Sequence, residues 1–365
     1  MKNYDVYLPS YSIGDDVYRE IPSICSQYGK KAVVIGGKKA MAASLDEILK
    51  YAKEKIEILG IQWYGGEASY ENVAMLESLT CVKDADMIFA IGGGKALDTC
   101  KALGETIGKP VFAFPTIAST CAATTAVSIM YRPDGAFLKP YFLKSPPKHT
   151  FIHTNILAKA PYRYLWAGMG DTYAKYFESS MSSRGEALTH YHALGVTISE
   201  MCLSPILKYG KDALDANKEG IATDAFEEVV LSVIVTTGIA SILLTKEKKI
   251  DYNTGLAHAI FYSLTVDKNI EENHLHGEVV GFGVLVLLLV DGQEEMFQTM
   301  YDFHRSVGLP TCLADIEYKS DHIGEIAEAA SVMHDIDHNP YPITASTIAN
   351  ALQKLENYHL RKELS

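Results

Sequence analysis

At 365 residues the chain is long for a single hydrophobic core, so two domains are expected. With 48% hydrophobic and 21% charged residues it has the make-up of an ordinary soluble globular protein. A net charge of −12 excludes a general binder of nucleic acid or of an anionic membrane, because both need a basic surface.

The segment Met1–Val6 lacks the apolar run of a secretory signal. The six cysteines are scattered without a CxxC pair, so no disulfide framework is expected and a reducing cytoplasm fits. Lys31-Ala32-Val33-Val34-Ile35 is a β-branched run ending in Gly36-Gly37, a strand and turn. Over residues 44–59, Leu45, Ile48, Leu49, Ala52 and Ile56 recur at helical spacing and predict a helix. Met87-Ile88-Phe89-Ala90-Ile91 is a second buried strand, followed by Gly92-Gly93-Gly94 and a helix from about Lys95. Residues 110–115 make a third strand. This βαβ alternation predicts a Rossmann-like α/β domain with a parallel sheet and helices on both faces.

After about Ala160 the texture changes. Apolar-periodic segments such as 226–244 and 277–290 dominate, and the second half is expected to be all-α. A boundary near Ala160-Pro161, where the proline can introduce a helix, divides the chain into 1–160 and 161–365. Residues 279–290 are the most apolar stretch. They fall short of the roughly 20 residues of a membrane helix and read as a buried core helix.

Two features carry chemistry. Gly92-Gly93-Gly94 between strand and helix lets a phosphate approach the helix N-terminus, with Lys95 as an added charge. It is not the GxGxxG fingerprint, and a plain tight turn is the alternative. The small hydroxyl-rich loop Pro115-Thr116-Ile117-Ala118-Ser119-Thr120 also follows a strand end, where ligands of open α/β sheets bind. The second feature is a metal-ligand set. Asp171, in Gly168-Met169-Gly170-Asp171, joins His258 and His276. One carboxylate and two imidazoles leave coordination positions open, as a catalytic metal requires. The three are too far apart for one helix face, and His274 competes with His276 for the third place.

In combination, Gly92-Gly93-Gly94-Lys95, residues 115–120, Gly168-Met169-Gly170-Asp171, Ala257-His258 and His276-Gly277-Glu278 strongly resemble the iron-containing alcohol dehydrogenase superfamily, in its glycerol dehydrogenase branch. The resemblance runs from the first strand to about Leu352. It implies the dehydroquinate synthase-like fold, a homo-oligomer, and a dinucleotide and a metal acting together on a small polar alcohol or carbonyl compound. It also implies Asp171, His258 and His276 as ligands and catalytic residues, usually with Zn2+, Fe2+ being the other possibility. Gly93, Gly94, Lys95, Asp98, Thr116, Ser119, Thr125, Val127 and Tyr131 are expected against the cofactor, with Gly37 and Lys38 at its ribose end. Cys121 and His258 are expected against the substrate.

The departures are informative. Gly37, followed by Lys38 and Lys39, stands where the family usually has an acidic ribose-binding residue, which admits NADP(H) beside NAD(H). Cys121 replaces an aspartate expected to bind substrate hydroxyls, and a thiol does so poorly. That change leans the reading to reduction of a 2-oxo acid to a 2-hydroxy acid, with NAD-linked glycerol oxidation as the alternative. A dehydroquinate synthase-like lyase is more remote, since its first metal ligand is usually glutamate. A non-catalytic binder that kept the fold is a further reading. His153, where relatives often have aspartate, has no explanation in the sequence.

Overall fold

The computed structural model describes residues 6–245 and 252–364. Two compact units emerge. The first runs through Tyr162 and takes in Ala216–Val230; the second comprises Arg163–Asp215 and the chain from Leu231 onward. A single cut at 160/161 therefore misses an excursion: after more than fifty residues in the second unit the chain returns briefly to the first.

Among the described residues of the first unit, eight strands form two sheets. They are β1 (Tyr11–Gly14), β2 (Lys31–Gly36), β3 (Glu57–Trp63), β4 (Met87–Gly92), β5 (Val111–Pro115), β6 (Val127–Tyr131), β7 (Phe137–Phe142) and β8 (His149–His153). Six of them pair in the order β1-β8-β5-β4-β2-β3, all parallel. β6 and β7 form a separate antiparallel hairpin. The buried runs of β2, β4 and β5 are the three strands expected, because strands covered on both faces read as continuous apolar segments. Stacked Phe114 and Phe151, with ring centroids 4.9 Å apart, join Phe89, Phe112 and Tyr18 in the core beneath them.

The helix expected over 44–59 is corrected. Helix α1 (Lys38–Ala52) begins earlier and stops at Ala52, and Glu57–Trp63 is edge strand β3. An edge strand with one half-exposed face lacks the apolar run that betrays a central one, and Gly60 sits in its middle where a side chain would press on Cys81. Helix α2 (Gly94–Ile107) follows the glycine turn and ends at Gly108, which is left-handed at φ 66°.

The second unit holds helices and no strand among the described residues. Those that build its site are α3 (Arg163–Ser182), α5 (Leu256–Leu264), α6 (His276–Val290) and α7 (Glu294–Val307), while α4 (Asp224–Leu244) starts in the first unit and ends in the second. α3 begins two residues after Pro161, which cannot extend a helix backward through its own ring. α6 is apolar all round and buried along nearly its whole length, as a core helix must be. Among the described residues α4, and not residues 279–290, is the helix long and apolar enough to cross a membrane; it is mostly buried in the protein, which marks it as another core helix.

One polar lock ties α3 to α7. The Tyr173 hydroxyl lies 2.6 Å from His304 Nε2, and His304 Nδ1 lies 2.7 Å from the Pro310 carbonyl. The Pro310 carbonyl can only accept, so Nδ1 carries a proton, and in the neutral imidazole Nε2 accepts from the Tyr173 hydroxyl. Burial holds the His304 pKa down to about 4, against the pull of the Pro310 carbonyl. Because the folded chain favours the neutral form, this stabilisation is complete above the ordinary value of 6.5 and is lost as pH falls towards 4. We predict that His304 alone costs about 2 kcal/mol of unfolding free energy between pH 7 and pH 5. Denaturant titrations of wild type and His304→Gln test this: the variant starts lower at pH 7 and declines less, and equal declines would refute the assignment.

Candidate functional site

The candidate ligand set of the second unit is assembled by backbones in close contact. Where α3 crosses α6, a Cβ on Gly170 would sit 2.0 Å from the Gly277 carbonyl oxygen, and one on Gly277 would sit 1.9 Å from that of Ala167. Only glycine permits that approach. It sets Asp171, next to Gly170, beside His276, next to Gly277. α5 is drawn in the same way, since a Cβ on Gly283 of α6 would fall 2.5 Å from the Ala257 carbonyl oxygen, next to His258.

The result is a cluster in which one ligand atom each from Asp171, His258 and His276 lies within 4.8 Å of the others. Asp171 Oδ1 is 3.7 Å from His258 Nε2 and 3.4 Å from His276 Nε2. His258 and Asp171 are well buried, with side chains 6% and 13% exposed, whereas His276 is 38% exposed. The cluster therefore opens on the His276 side, where coordination positions can face a substrate. Burial pushes the Asp171 carboxyl up, but His276 and His258 outweigh it and bring its pKa to about 2.

Sequence reasoning missed the residue that organises this set. Glu178 is fully buried on α3, two turns beyond Asp171 and on the same face. One of its carboxylate oxygens accepts the backbone N–H groups of Gly255 and His258, at 2.8 and 2.9 Å. The other lies 2.7 Å from His258 Nδ1. A carboxylate there makes Nδ1 the protonated nitrogen and leaves Nε2 with a free lone pair directed at Asp171 and His276. Burial alone lowers the His258 pKa, but the Glu178 charge prevails and raises it. The seven-residue interval between two acidic residues was the available signal. These donors, oriented by a buried carboxylate, fit a divalent metal.

His274 is elsewhere. Its Nδ1 is 2.7 Å from Glu278 Oε1, and the other oxygen of Glu278 accepts the Leu275 N–H at the start of α6. His153 ends β8 with Nε2 3.1 Å from Glu47, its ring edge-on to Tyr18.

In the first unit, β3 lies on one side of β2 and β4 on the other, so the direction of strand addition reverses between β2 and β4. Ligands of open parallel sheets bind at the carboxyl ends flanking such a reversal. Gly36-Gly37 and Gly92-Gly93-Gly94 occupy those ends, and the Gly37 N–H reaches the Ile91 carbonyl at 3.1 Å. Gly92 has φ 153° at the turn, and a Cβ on Gly94 would meet nothing closer than Thr120 Oγ1 at 3.5 Å. The N-terminus of α2 thus has room for a phosphate, and its first N–H groups have no partner within the helix. Thr116, whose N–H bonds the Gly92 carbonyl, and Ser119 belong to the adjoining loop.

Other expected cofactor residues are already engaged. Lys95 Nζ is 2.6 Å from Glu67 and 5.0 Å from the Tyr131 ring centroid. Asp98 stands apart: its buried carboxylate is 2.8 Å from Lys101 Nζ and accepts the Ile129 N–H, and Lys101 also reaches Thr125 Oγ1 and the Val127 carbonyl. Asp98, Thr125 and Val127 thereby hold the β6–β7 hairpin to α2. At the ribose end, Lys38 lies over Trp63 with Nζ 4.7 Å from the ring centroid, and no side chain caps α1 at Gly37. Cys121 is partly buried, and its carbonyl accepts the Thr124 hydroxyl.

The family model for iron-containing alcohol dehydrogenases matches residues 9–150. A glycerol dehydrogenase of Thermotoga maritima is 34% identical over 358 residues, 93% of either chain. The chain belongs to the iron-containing alcohol dehydrogenase family. Hydroxycarboxylate dehydrogenase A of Escherichia coli is 30% identical over 338 residues, 90% of each protein. The crystal structure of a glycerol dehydrogenase from Schizosaccharomyces pombe superimposes with a TM-score of 0.86 at 25% identity, covering 99% of this chain and 92% of that one. This alcohol dehydrogenase is thus of the glycerol dehydrogenase-like branch, a nicotinamide-linked oxidoreductase acting on a CH–OH group.

Two predictions follow from the helix crossing and from Glu178. In Glu178→Gln the amide oxygen keeps the Gly255 and His258 N–H groups and turns its NH2, a donor, towards His258 Nδ1, so the imidazole proton moves to Nε2, which then cannot ligate; metal affinity should fall about 10- to 100-fold with the fold intact. Metal competition with circular dichroism as control checks this, and unchanged affinity would refute it. Gly277→Ala forces apart two helix backbones and should cost about 3 kcal/mol of stability together with the bound metal. Thermal melts and metal analysis of the purified variant read both losses.

Proposed function

We propose that this alcohol dehydrogenase oxidises a small polyol such as glycerol with NAD+, using a zinc ion held by Asp171, His258 and His276. The observation that carries the reading is the cluster of these three side chains, oriented by Glu178 and open towards His276. Relatives weigh the same way, since several at about 30% identity are glycerol dehydrogenases. This polyol reading stands ahead of the 2-oxo acid reduction towards which Cys121 leaned the sequence.

A divalent cation in the cluster supplies Lewis acidity towards the substrate oxygen, and the nicotinamide supplies the hydride acceptor. The protein's own part is orientation. Asp171 provides the anionic ligand, Glu178 keeps His258 in the tautomer that can ligate, and the exposed edge of His276 borders the open side. The turn at Gly93-Gly94 and the loop carrying Thr116 and Ser119 receive the dinucleotide phosphates, with Lys95 exchanging Glu67 for the ligand. Cys121 adjoins that loop as a residue against the substrate. Asp171 as the first ligand counts against the lyase reading.

A second reading keeps a specific observation. Gly37, Lys38 and Lys39 open α1 with no acidic residue in its first turn, which favours a 2′-phosphate and hence NADP(H). Together with Cys121 and the similarity to hydroxycarboxylate dehydrogenase A, this supports reduction of 2-oxo acids with NADPH. Nicotinamide absorbance in zinc-supplemented assays separates the two. NAD+ with glycerol should turn over faster than NADPH with 2-oxobutyrate, and the reverse order would replace the first reading by the second. Asp171→Ala should lose metal and turnover together; activity in a verified metal-free variant would sink both.

A further inference from the structure

One buried charge remains outside this mechanism. Lys175 is 5% exposed and lies on α3, one turn beyond Asp171 and almost one before Glu178. Its Nζ donates to Asn253 Oδ1 at 2.8 Å and to the Asn253 carbonyl, both neutral acceptors. Among the described residues no carboxylate lies within ion-pair distance of it. A buried ammonium without a paired anion is costly, and its position next to a metal site makes it costlier still, because it repels the cation. Lysine is therefore a poor choice for a brace of the 252–255 turn, which a neutral donor would hold as well.

The charges around it explain its place. On α3 stand Asp171 and Glu178, and facing them are His258 on α5 and His276 on α6. Cys202, on a neighbouring helical turn, stays a thiol, since burial pushes it up to about 12. Two carboxylates and one ammonium leave one negative charge; a divalent cation reverses this to one positive charge. Without Lys175 the loaded site is neutral. Burial and, at His258, the Glu178 charge that raises its pKa overall act more strongly, but the charge of Lys175 is also felt at both Asp171 and His258, in the lowering direction.

We propose that Lys175 is an electrostatic positioning residue that weakens the hold on the metal in order to keep the loaded site cationic, so that the substrate alcohol ionises at lower pH. This rests on the reading of the cluster as the centre of an alcohol-oxidising enzyme. The oxyanion formed as the alcohol gives up its proton to solvent brings the enclosure to neutrality, and hydride loss to NAD+ then leaves the carbonyl product. Lys175 touches neither substrate nor cofactor in this account and acts only through its field.

Two substitutions test it. Lys175→Met removes charge and donor at similar length, and Lys175→Gln removes the charge while its amide can still bond Asn253. Withdrawal of zinc from the loaded full-length protein by a chromophoric chelator should show both variants binding at least about tenfold more tightly than wild type. The pH at which glycerol oxidation reaches half its maximum should move about one unit to the alkaline side. A brace for the turn predicts the opposite sign, weaker zinc binding, because α5, which carries His258, starts directly after that turn. Equal or weaker affinity in Lys175→Gln overturns the proposal. The zinc measurement needs no turnover, so it decides on Lys175 even if glycerol proves not to be oxidised.

Discussion

The candidate site depends on one close approach. Gly170 and Gly277 let two helix backbones meet at a distance no other residue tolerates, with a would-be Cβ landing on a carbonyl from either side. The position of every candidate ligand follows from that crossing. Asp171 and His276 are the residues next to the two glycines, and His258 arrives because α5 is packed against Gly283 on the same helix. Since the backbones are in contact, the side chains need little reach and keep few conformations. That is how a site whose ligands come from three helices can be held to the tolerances that coordination requires.

Packing sets positions, and a buried carboxylate sets chemistry. Glu178 satisfies two backbone donors at the start of α5 with one oxygen and fixes the His258 tautomer with the other. A single side chain thus caps the helix that carries His258 and presents the Nε2 of that candidate ligand unprotonated. Its burial makes the interaction strong, because a carboxylate away from water has no competing partners. The same low-polarity surroundings let Lys175 act at a distance in the opposite sense. The site is a balance of fixed charges, buried around His258 and open at His276, with the helix crossing as its frame.

Much of this was legible in the chain. The three central strands announced themselves as short β-branched or aromatic runs, and the glycine turn after β4 was placed between strand and helix. The motif set around Asp171, His258 and His276 pointed to the family to which the chain belongs. Edge strands were not legible, because β3 is half exposed and interrupted by Gly60, so its apolar residues were read as the tail of α1. The resemblance set Asp98 against the cofactor; the pairing it makes with Lys101, one turn further along α2, had no separate signal in the sequence.

Residue types and local order were therefore settled by the amino-acid sequence itself, since periodicity, turn chemistry and ligand chemistry are properties of neighbours along the chain. The motif contexts named His276 with Asp171, but its geometric separation from His274, the carboxylate that orients His258 and the lysine buried beside them were decided only by tertiary structure. His274 and His276 are equivalent by sequence spacing, and one residue's turn at the start of α6 sends them to Glu278 and to Asp171 respectively. Long-range pairing depends on how closely helices can pack. That distance is set by a glycine meeting another backbone, a partner that no local pattern names.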